Sequence, residues 1–193
     1  MNPLSSIPAS IITGVVLAII VFVVIPGHAY NELSLARWLH ILSGITWIGL
    51  LYYFNVVQTP ALAAAAADKG GPGGAGVTKY VAPRALLWFR WAAVSTWFTG
   101  AWYLIYAHTF DDAFMLREGS RVIGIGAWLG TIMLVNVWVF IWPAQKKILG
   151  IVPATDDEKA KARKIALHAS RTNFVLSIPM LLCMGSATHG LPF

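Results

Sequence analysis

The chain has 193 residues, of which 58% are hydrophobic and only 11% are charged. A soluble globular domain carries about 25% charged residues, so this composition excludes an ordinary soluble fold and predicts an all-α integral membrane protein. The net charge of +6 does not indicate nucleic-acid binding, because the basic residues border apolar segments and form no continuous soluble surface.

Five apolar stretches follow one another along the chain, and each can supply the roughly 20 residues that a transmembrane helix needs. We therefore predict a single membrane domain over residues 1–193, built as a bundle of about five transmembrane helices. The run Thr155-Asp156-Asp157-Glu158 is typical of a capping box, and it predicts a helix that continues through a charged stretch into the fifth span. The predicted spans are residues 7–25, 33–58, 81–107, 122–142 and 171–189.

A low-complexity segment separates the second and third spans. It contains the run Lys69-Gly70-Gly71-Pro72-Gly73-Gly74, and glycine and proline disfavour regular structure. We predict a flexible cytoplasmic loop over residues 61–80. Prolines also mark three predicted span limits: Pro60 ends the second span, Pro83 lies in the first turn of the third, and Pro143 closes the fourth.

The basic residues predict the orientation of the bundle, because Lys and Arg favour the cytoplasmic face. Eleven of them flank or fill the second-to-third and fourth-to-fifth connections, whereas Arg37, Arg117 and Arg121 lie at the opposite face. The N-terminus is therefore predicted inside and the C-terminus outside, in a multi-pass protein of the bacterial inner membrane that contacts lipid. The eleven are Lys69, Lys79, Arg84, Arg90, Lys146, Lys147, Lys159, Lys161, Arg163, Lys164 and Arg171.

His40 is the most informative residue, because an ionisable side chain inside a membrane span usually has a function. One interpretation is axial ligation of haem iron by a neutral imidazole whose other ring nitrogen is fixed by a hydrogen bond. The alternative is a histidine that bonds a neighbouring helix. Gly44 lies one turn further on the same face, where a missing side chain would let a flat macrocycle approach. Trp47 could line such a cofactor or pack between helices.

A second axial ligand would come from another span at similar depth. His189 and His108 both end spans at the predicted outer face, so either could serve; each could also be an interfacial residue that faces water. His28 is predicted as a solvent-exposed loop residue. Cys183 is the single cysteine, so the chain has no C-x-x-C-H site for covalent attachment. Any haem is therefore predicted to be haem b, bound non-covalently.

Two arginines lie near or within the spans. Arg37 precedes His40 by three residues and could bind a haem carboxylate or extend into the headgroups. Arg90 lies several residues inside the third span, and no acidic residue occurs within any predicted span. It therefore either reaches the cytoplasmic surface or meets an anion. For Asn136, Asn173 and other polar residues in the spans (Asn55 and Ser177), interhelical hydrogen bonds are expected.

Several motifs resemble the membrane N-terminal domain of the bacterial membrane-bound urate oxidases that end in a cytochrome c. The resemblance implies a urate oxidase-like membrane module with an outward C-terminus. Because this chain contains no C-x-x-C-H motif, it also implies a separate cytochrome c or a larger membrane redox complex as partner. The His40 helix is more distantly similar to haem-binding membrane proteins of the protoporphyrinogen oxidase type, which implies haem at His40. The motifs are Leu39-His40-Ile41-Leu42-Ser43-Gly44-Ile45-Thr46-Trp47-Ile48-Gly49-Leu50-Leu51-Tyr52-Tyr53-Phe54-Asn55, Pro83-Arg84-Ala85-Leu86-Leu87-Trp88-Phe89-Arg90-Trp91, Asn136-Val137-Trp138 with Trp142-Pro143-Ala144-Gln145-Lys146-Lys147, and Ala169-Ser170-Arg171-Thr172-Asn173.

Three functions stay open from the sequence. The first is a haem b redox module that transfers electrons, as a subunit of a larger complex or as a homo-oligomer. The second is a membrane oxidase of urate or of another small reduced compound. The third is a cofactor-free accessory subunit that packs against a larger membrane complex. A haem absorption spectrum would distinguish the two haem-dependent functions from the cofactor-free subunit. Reduction of the haem by a substrate would distinguish the oxidase from the electron-transfer module.

Overall fold

The computed structural model describes residues 2–25 and 29–192, and His28 lies outside the described residues. Every helix or strand assigned in that part of the chain is a helix, so the all-α prediction is confirmed. Four helical segments are long and apolar enough to span a membrane: Ile7–Val24, Glu32–Ala67, Arg121–Ile148 and Asp156–Ser186. A fifth long helix, Ala82–Tyr106, corresponds to the predicted third span. It is not among the four apolar segments, because its arginines and polar residues make its mean hydropathy lower than theirs.

The chain divides into two compact units, residues 1–32 and 33–193. The first unit contains helix α1 (Ile7–Val24), which follows a short 3-10 turn, Pro3–Ser5. Ser6 caps this helix, because its side-chain oxygen accepts a hydrogen bond from the Ala9 amide (3.4 Å). The helix is apolar around its whole circumference and has no buried residue. Such a helix suits a lipid environment.

The second unit contains seven α-helices, and three stretches of π-helix join some of them into longer segments. The α-helices are α2 (Glu32–Tyr52), α3 (Thr59–Ala67), α4 (Ala82–Tyr106), α5 (Phe110–Phe114), α6 (Arg121–Asn136), α7 (Trp142–Ile148) and α8 (Asp156–Ser186). The predicted capping box at the start of α8 is confirmed: Thr155 Oγ1 accepts from the Glu158 amide, and the Glu158 carboxylate accepts from the Thr155 amide.

Four long segments form an up-and-down bundle, in which each packs antiparallel to its two neighbours. They are the α2 segment (Glu32–Ala67), α4 (Ala82–Tyr106), the α6–α7 segment (Arg121–Ile148) and α8 (Asp156–Ser186). The antiparallel direction follows from the contacts, because residue numbers rise in one segment as they fall in its partner. The contacts are His40–Thr96 and Phe54–Phe89 (α2 segment to α4), Trp97–Thr131 and Arg90–Trp142 (α4 to α6–α7), Asn136–Asn173 and Lys147–Glu158 (α6–α7 to α8), and Ser170–Asn55 and Ser177–Tyr52 (α8 to the α2 segment).

All three π-helical stretches end two residues before a proline. They are Tyr53–Gln58 before Pro60, Val77–Val81 before Pro83, and Val137–Ile141 before Pro143. A proline lacks the amide hydrogen and its ring clashes with the carbonyl four residues earlier, and the wider π turn accommodates both defects. Pro83 lies in the first turn of α4, as predicted. The helix does not end at Pro60 or Pro143, because α3 and α7 continue past them, and the limits of the membrane spans stay predictions.

The loop predicted over residues 61–80 is also helical at both of its ends. Helix α3 continues to Ala67, and the π-helical stretch Val77–Val81 runs directly into α4. The physical reason is the alanine-rich composition of the first part, since alanine has the highest helix propensity. The glycine-rich run between these helices remains outside regular helix, as predicted.

Candidate functional site

His40 lies between α2 and α4, and its ring is fixed by a hydrogen bond. The distance between His40 Nδ1 and the carbonyl oxygen of Thr96 is 2.8 Å. Since a carbonyl only accepts, Nδ1 carries the hydrogen and donates it, and the neutral ring keeps its lone pair on Nε2. The side chain is half-buried. The predicted contact of His40 with a neighbouring helix is present, and it leaves one ring nitrogen free to act as a ligand.

Gly100 on α4 makes the space in which the His40 ring lies. A Cβ atom at this position would be 2.8 Å from His40 Cε1 and 2.9 Å from Nδ1, closer than carbon and nitrogen atoms pack. Gly44 has a different environment, because a Cβ there would meet the Thr96 methyl group at an ordinary 3.7 Å. Gly44 thus faces α4, and Gly100 is the glycine on which the ring position depends.

The remaining predicted site residues are spread over the second unit. Trp47 is 2% exposed and packs in the bundle core, which is the packing role considered for it above. Arg37 is exposed, one turn before His40. His108 follows α4 with a φ of 57°, and His189 follows α8; both are exposed. The structure brings His40 together with Thr96 and Gly100, and the second axial ligand stays a prediction.

Thr96 and Gly100 were not identified from the sequence. The Thr96 contact uses a backbone carbonyl, which every residue type carries. Glycine is common in apolar helices, so Gly100 does not stand out in the sequence. Its closeness to the His40 ring can be known only once α2 and α4 are known to pack together. In the described residues, no group of three or more His, Cys, Asp or Glu side chains could hold a metal ion.

An open apolar groove of about 700 Å³ runs between the α2 segment and α4. It begins five residues further along α2 than His40, and His40 does not line it. The groove is lined by Ile45, Thr46, Gly49, Leu50, Tyr80, Val81, Arg84, Ala85 and Trp88.

Buried and half-buried polar side chains join α8 to α6 and to the π-helical stretch after α2, as the sequence led us to expect. Asn136 Nδ2 donates to Asn173 Oδ1 (2.7 Å) and to the Ala169 carbonyl (2.8 Å), and Asn173 Nδ2 donates to the Met133 carbonyl (3.0 Å). Asn55 Nδ2 donates to Ser170 Oγ (2.9 Å). These bonds hold the segments in register.

The sequence comparison covers the second half of this bundle. Residues 106–193 match the family model described as "Urate oxidase N-terminal". The match confirms the urate oxidase resemblance for α5 to α8, which include the Asn136–Asn173 pair, and the apolar helices fit a urate oxidase-like membrane module. His40 and α2 precede the matched region. The comparisons do not support the more distant resemblance to haem-binding proteins, and no curated protein or solved structure matches the chain.

Proposed function

We propose that this urate oxidase-like membrane module binds haem b through His40 and transfers electrons across part of the bacterial inner membrane. The observation that carries the proposal is the His40–Thr96 hydrogen bond. It holds the imidazole in one tautomer with Nε2 free, which is the arrangement that metal-ligating histidines use. A separate cytochrome c or a larger membrane redox complex would accept the electrons.

The residues around His40 fit a haem on chemical grounds. A neutral imidazole is a common axial ligand of haem iron, and the Thr96 carbonyl that accepts from Nδ1 makes Nε2 a stronger donor. Gly100 lets the ring lie close to α4. Arg37, one turn away, would offer its charge to a haem carboxylate. When bound, haem supplies one-electron redox chemistry, while the helices orient it and exclude water.

Replacement of single histidines tests the ligand assignment. We expect His40→Ala to lose haem or to change its reduced-minus-oxidised absorption spectrum grossly, because no other donor occupies that position. His168→Ala is the matched control: His168 lies in the charged part of α8, and its removal should leave the spectrum intact. His189→Ala and His108→Ala then identify the second ligand. An unchanged haem content in His40→Ala would refute the assignment.

A second candidate function is oxidation of urate, which the family match over residues 106–193 favours. In that case the haem that His40 would hold would supply one-electron redox chemistry, and the two electrons lost by urate would leave one at a time to a cytochrome c or a larger redox complex. Anaerobic stopped-flow spectroscopy should then show reduction of the haem when urate is added. A haem that dithionite reduces but urate does not would exclude urate as the electron donor and leave the electron-transfer role intact.

A further inference from the structure

Arg90 is a buried cation that contacts a tryptophan and no acid. The residue is 8% exposed, and the guanidinium carbon lies 3.4 Å from the centre of the Trp142 ring. The guanidinium therefore packs against protein, and the two alternatives considered for it, the cytoplasmic surface or an anion, stay predictions. Lys146 Nζ approaches the same ring, at 5.9 Å. Two positive charges thus meet at one indole of the α6–α7 segment.

Two N–H groups at this contact between helices are left without an acceptor. Arg90 Nε and Trp138 Nε1 are both buried and have no hydrogen-bond partner among the described residues. Both groups belong to the contact between α4 and the α6–α7 segment, where the Trp91 ring packs edge-on against Trp138 (5.7 Å between centroids) and Arg90 packs against Trp142. A buried polar group without a partner destabilises the folded chain, and more so when it is charged.

The described parts of α4, α6 and α7 contain no acidic residue. Three acids already pair with cations elsewhere: Asp112 with Arg117, Glu158 with Lys147, and Asp156 with Lys159. Among the described residues, the buried side-chain acceptor without a partner is Gln58 Oε1, which is neutral. An anionic partner for Arg90 would therefore come from outside the chain.

We propose that Arg90, Trp138, Trp142 and Lys146 form an oxyanion-binding site between α4 and the α6–α7 segment. Arginine and indole N–H groups only donate, so the ligand must accept hydrogen bonds. The two positive charges select an anion, and guanidinium groups favour the planar, paired oxygens of phosphate or carboxylate. A phospholipid headgroup and a free phosphate share this chemistry. The site does not involve His40, so it is independent of the haem proposal.

The test measures binding to the full chain purified in a neutral detergent. One arm is equilibrium dialysis with labelled inorganic phosphate at constant ionic strength. The other is native mass spectrometry with phosphatidylglycerol, with zwitterionic phosphatidylcholine as comparison. We expect saturable binding of at least one probe. Phosphate binding indicates a free oxyanion, and retention of phosphatidylglycerol alone indicates a lipid headgroup.

Three variants separate this site from general attraction of anions. Arg90→Gln should weaken binding about tenfold or more, since hydrogen bonds to charged groups are worth about 1.5–3 kcal/mol. Trp138→Phe keeps an aromatic ring beside Trp91 and removes the indole N–H, which has no protein partner; our proposal predicts binding several-fold weaker. Arg84→Gln is the control, because Arg84 bonds the Tyr80 carbonyl on another face of the same helix.

Two results would overturn the proposal: no saturable binding of either probe to the wild type, or equal binding by wild type, Trp138→Phe and Arg90→Gln. If Arg90→Gln does not fold, Arg90→Lys replaces it. This variant keeps the charge but lacks the guanidinium geometry, and it should bind several-fold more weakly than the wild type.

Discussion

At the scale of single residues, the position of His40 depends on two features of α4. The Thr96 carbonyl fixes the tautomer of the ring, and Gly100 provides the space for it. His40 itself could be identified from the sequence, because an ionisable residue is rare in an apolar span. Thr96 and Gly100 could not be identified in the same way. Every residue has a backbone carbonyl, and glycine is common in apolar helices, so neither is distinctive in a single sequence.

Gly100→Ala tests this packing. The added methyl group would lie 2.8 Å from His40 Cε1, so the ring or the helices must move. We expect a loss of unfolding free energy of about 1–3 kcal/mol, together with a changed haem spectrum if His40 is the ligand. The measurement is the thermal unfolding midpoint and the absorption spectrum of the same preparation.

Gly49→Ala is the control for this change, because a Cβ at Gly49 meets nothing within 4 Å. It should keep or raise the stability by up to about 1 kcal/mol, since alanine favours helix over glycine. If the two variants unfold at the same temperature and have the same spectrum, Gly100 does not position the ring.

At the scale of elements, the number and approximate place of the long helices could be predicted, but their limits could not. The apolar runs locate the helices. Pro60, Pro83 and Pro143 suggested helix limits, because a proline usually interrupts an α-helix. In the structure each is preceded by a π-helical stretch. The π-helical turn lets the helix continue through the proline only because neighbouring helices hold the segment in place. The local sequence therefore does not predict it.

Helix α8 carries the polar residues that hold three segments together, and Asn173 is the clearest test of this role. Asn173 is 0% exposed and bonds both Asn136 and the Met133 carbonyl. Asn173→Ala should lower the unfolding free energy by about 1–3 kcal/mol, because interhelical hydrogen bonds in membranes average about 0.6 and reach about 1.7 kcal/mol each, and a cavity adds to the loss.

The adjacent exposed Thr172 supplies the control, since its hydroxyl bonds only the His168 carbonyl of its own helix (3.0 Å). Thr172→Ala should change stability by no more than about 0.5 kcal/mol. Unfolding in mixed micelles of mild and denaturing detergent gives both values. Equal stability of the two variants would mean that the Asn136–Asn173 pair does not contribute to the bundle.

At the scale of the whole molecule, the four long segments of the second unit run antiparallel to their neighbours. The orientation itself remains a prediction that rests on the distribution of Lys and Arg. We expect green fluorescent protein fused to the N-terminus to fluoresce, and alkaline phosphatase fused to the C-terminus to be active, because the first functions inside the cell and the second outside. The opposite pattern would contradict the predicted orientation.

The central claim is that this membrane module carries haem b, and its haem content tests that claim most directly. The protein should be expressed with added haem, purified in mild detergent, and measured by a pyridine haemochrome assay with a reduced-minus-oxidised spectrum. The account predicts a b-type spectrum with haem in a fixed stoichiometric ratio to the chain. A folded preparation without colour would contradict it and favour the cofactor-free accessory subunit.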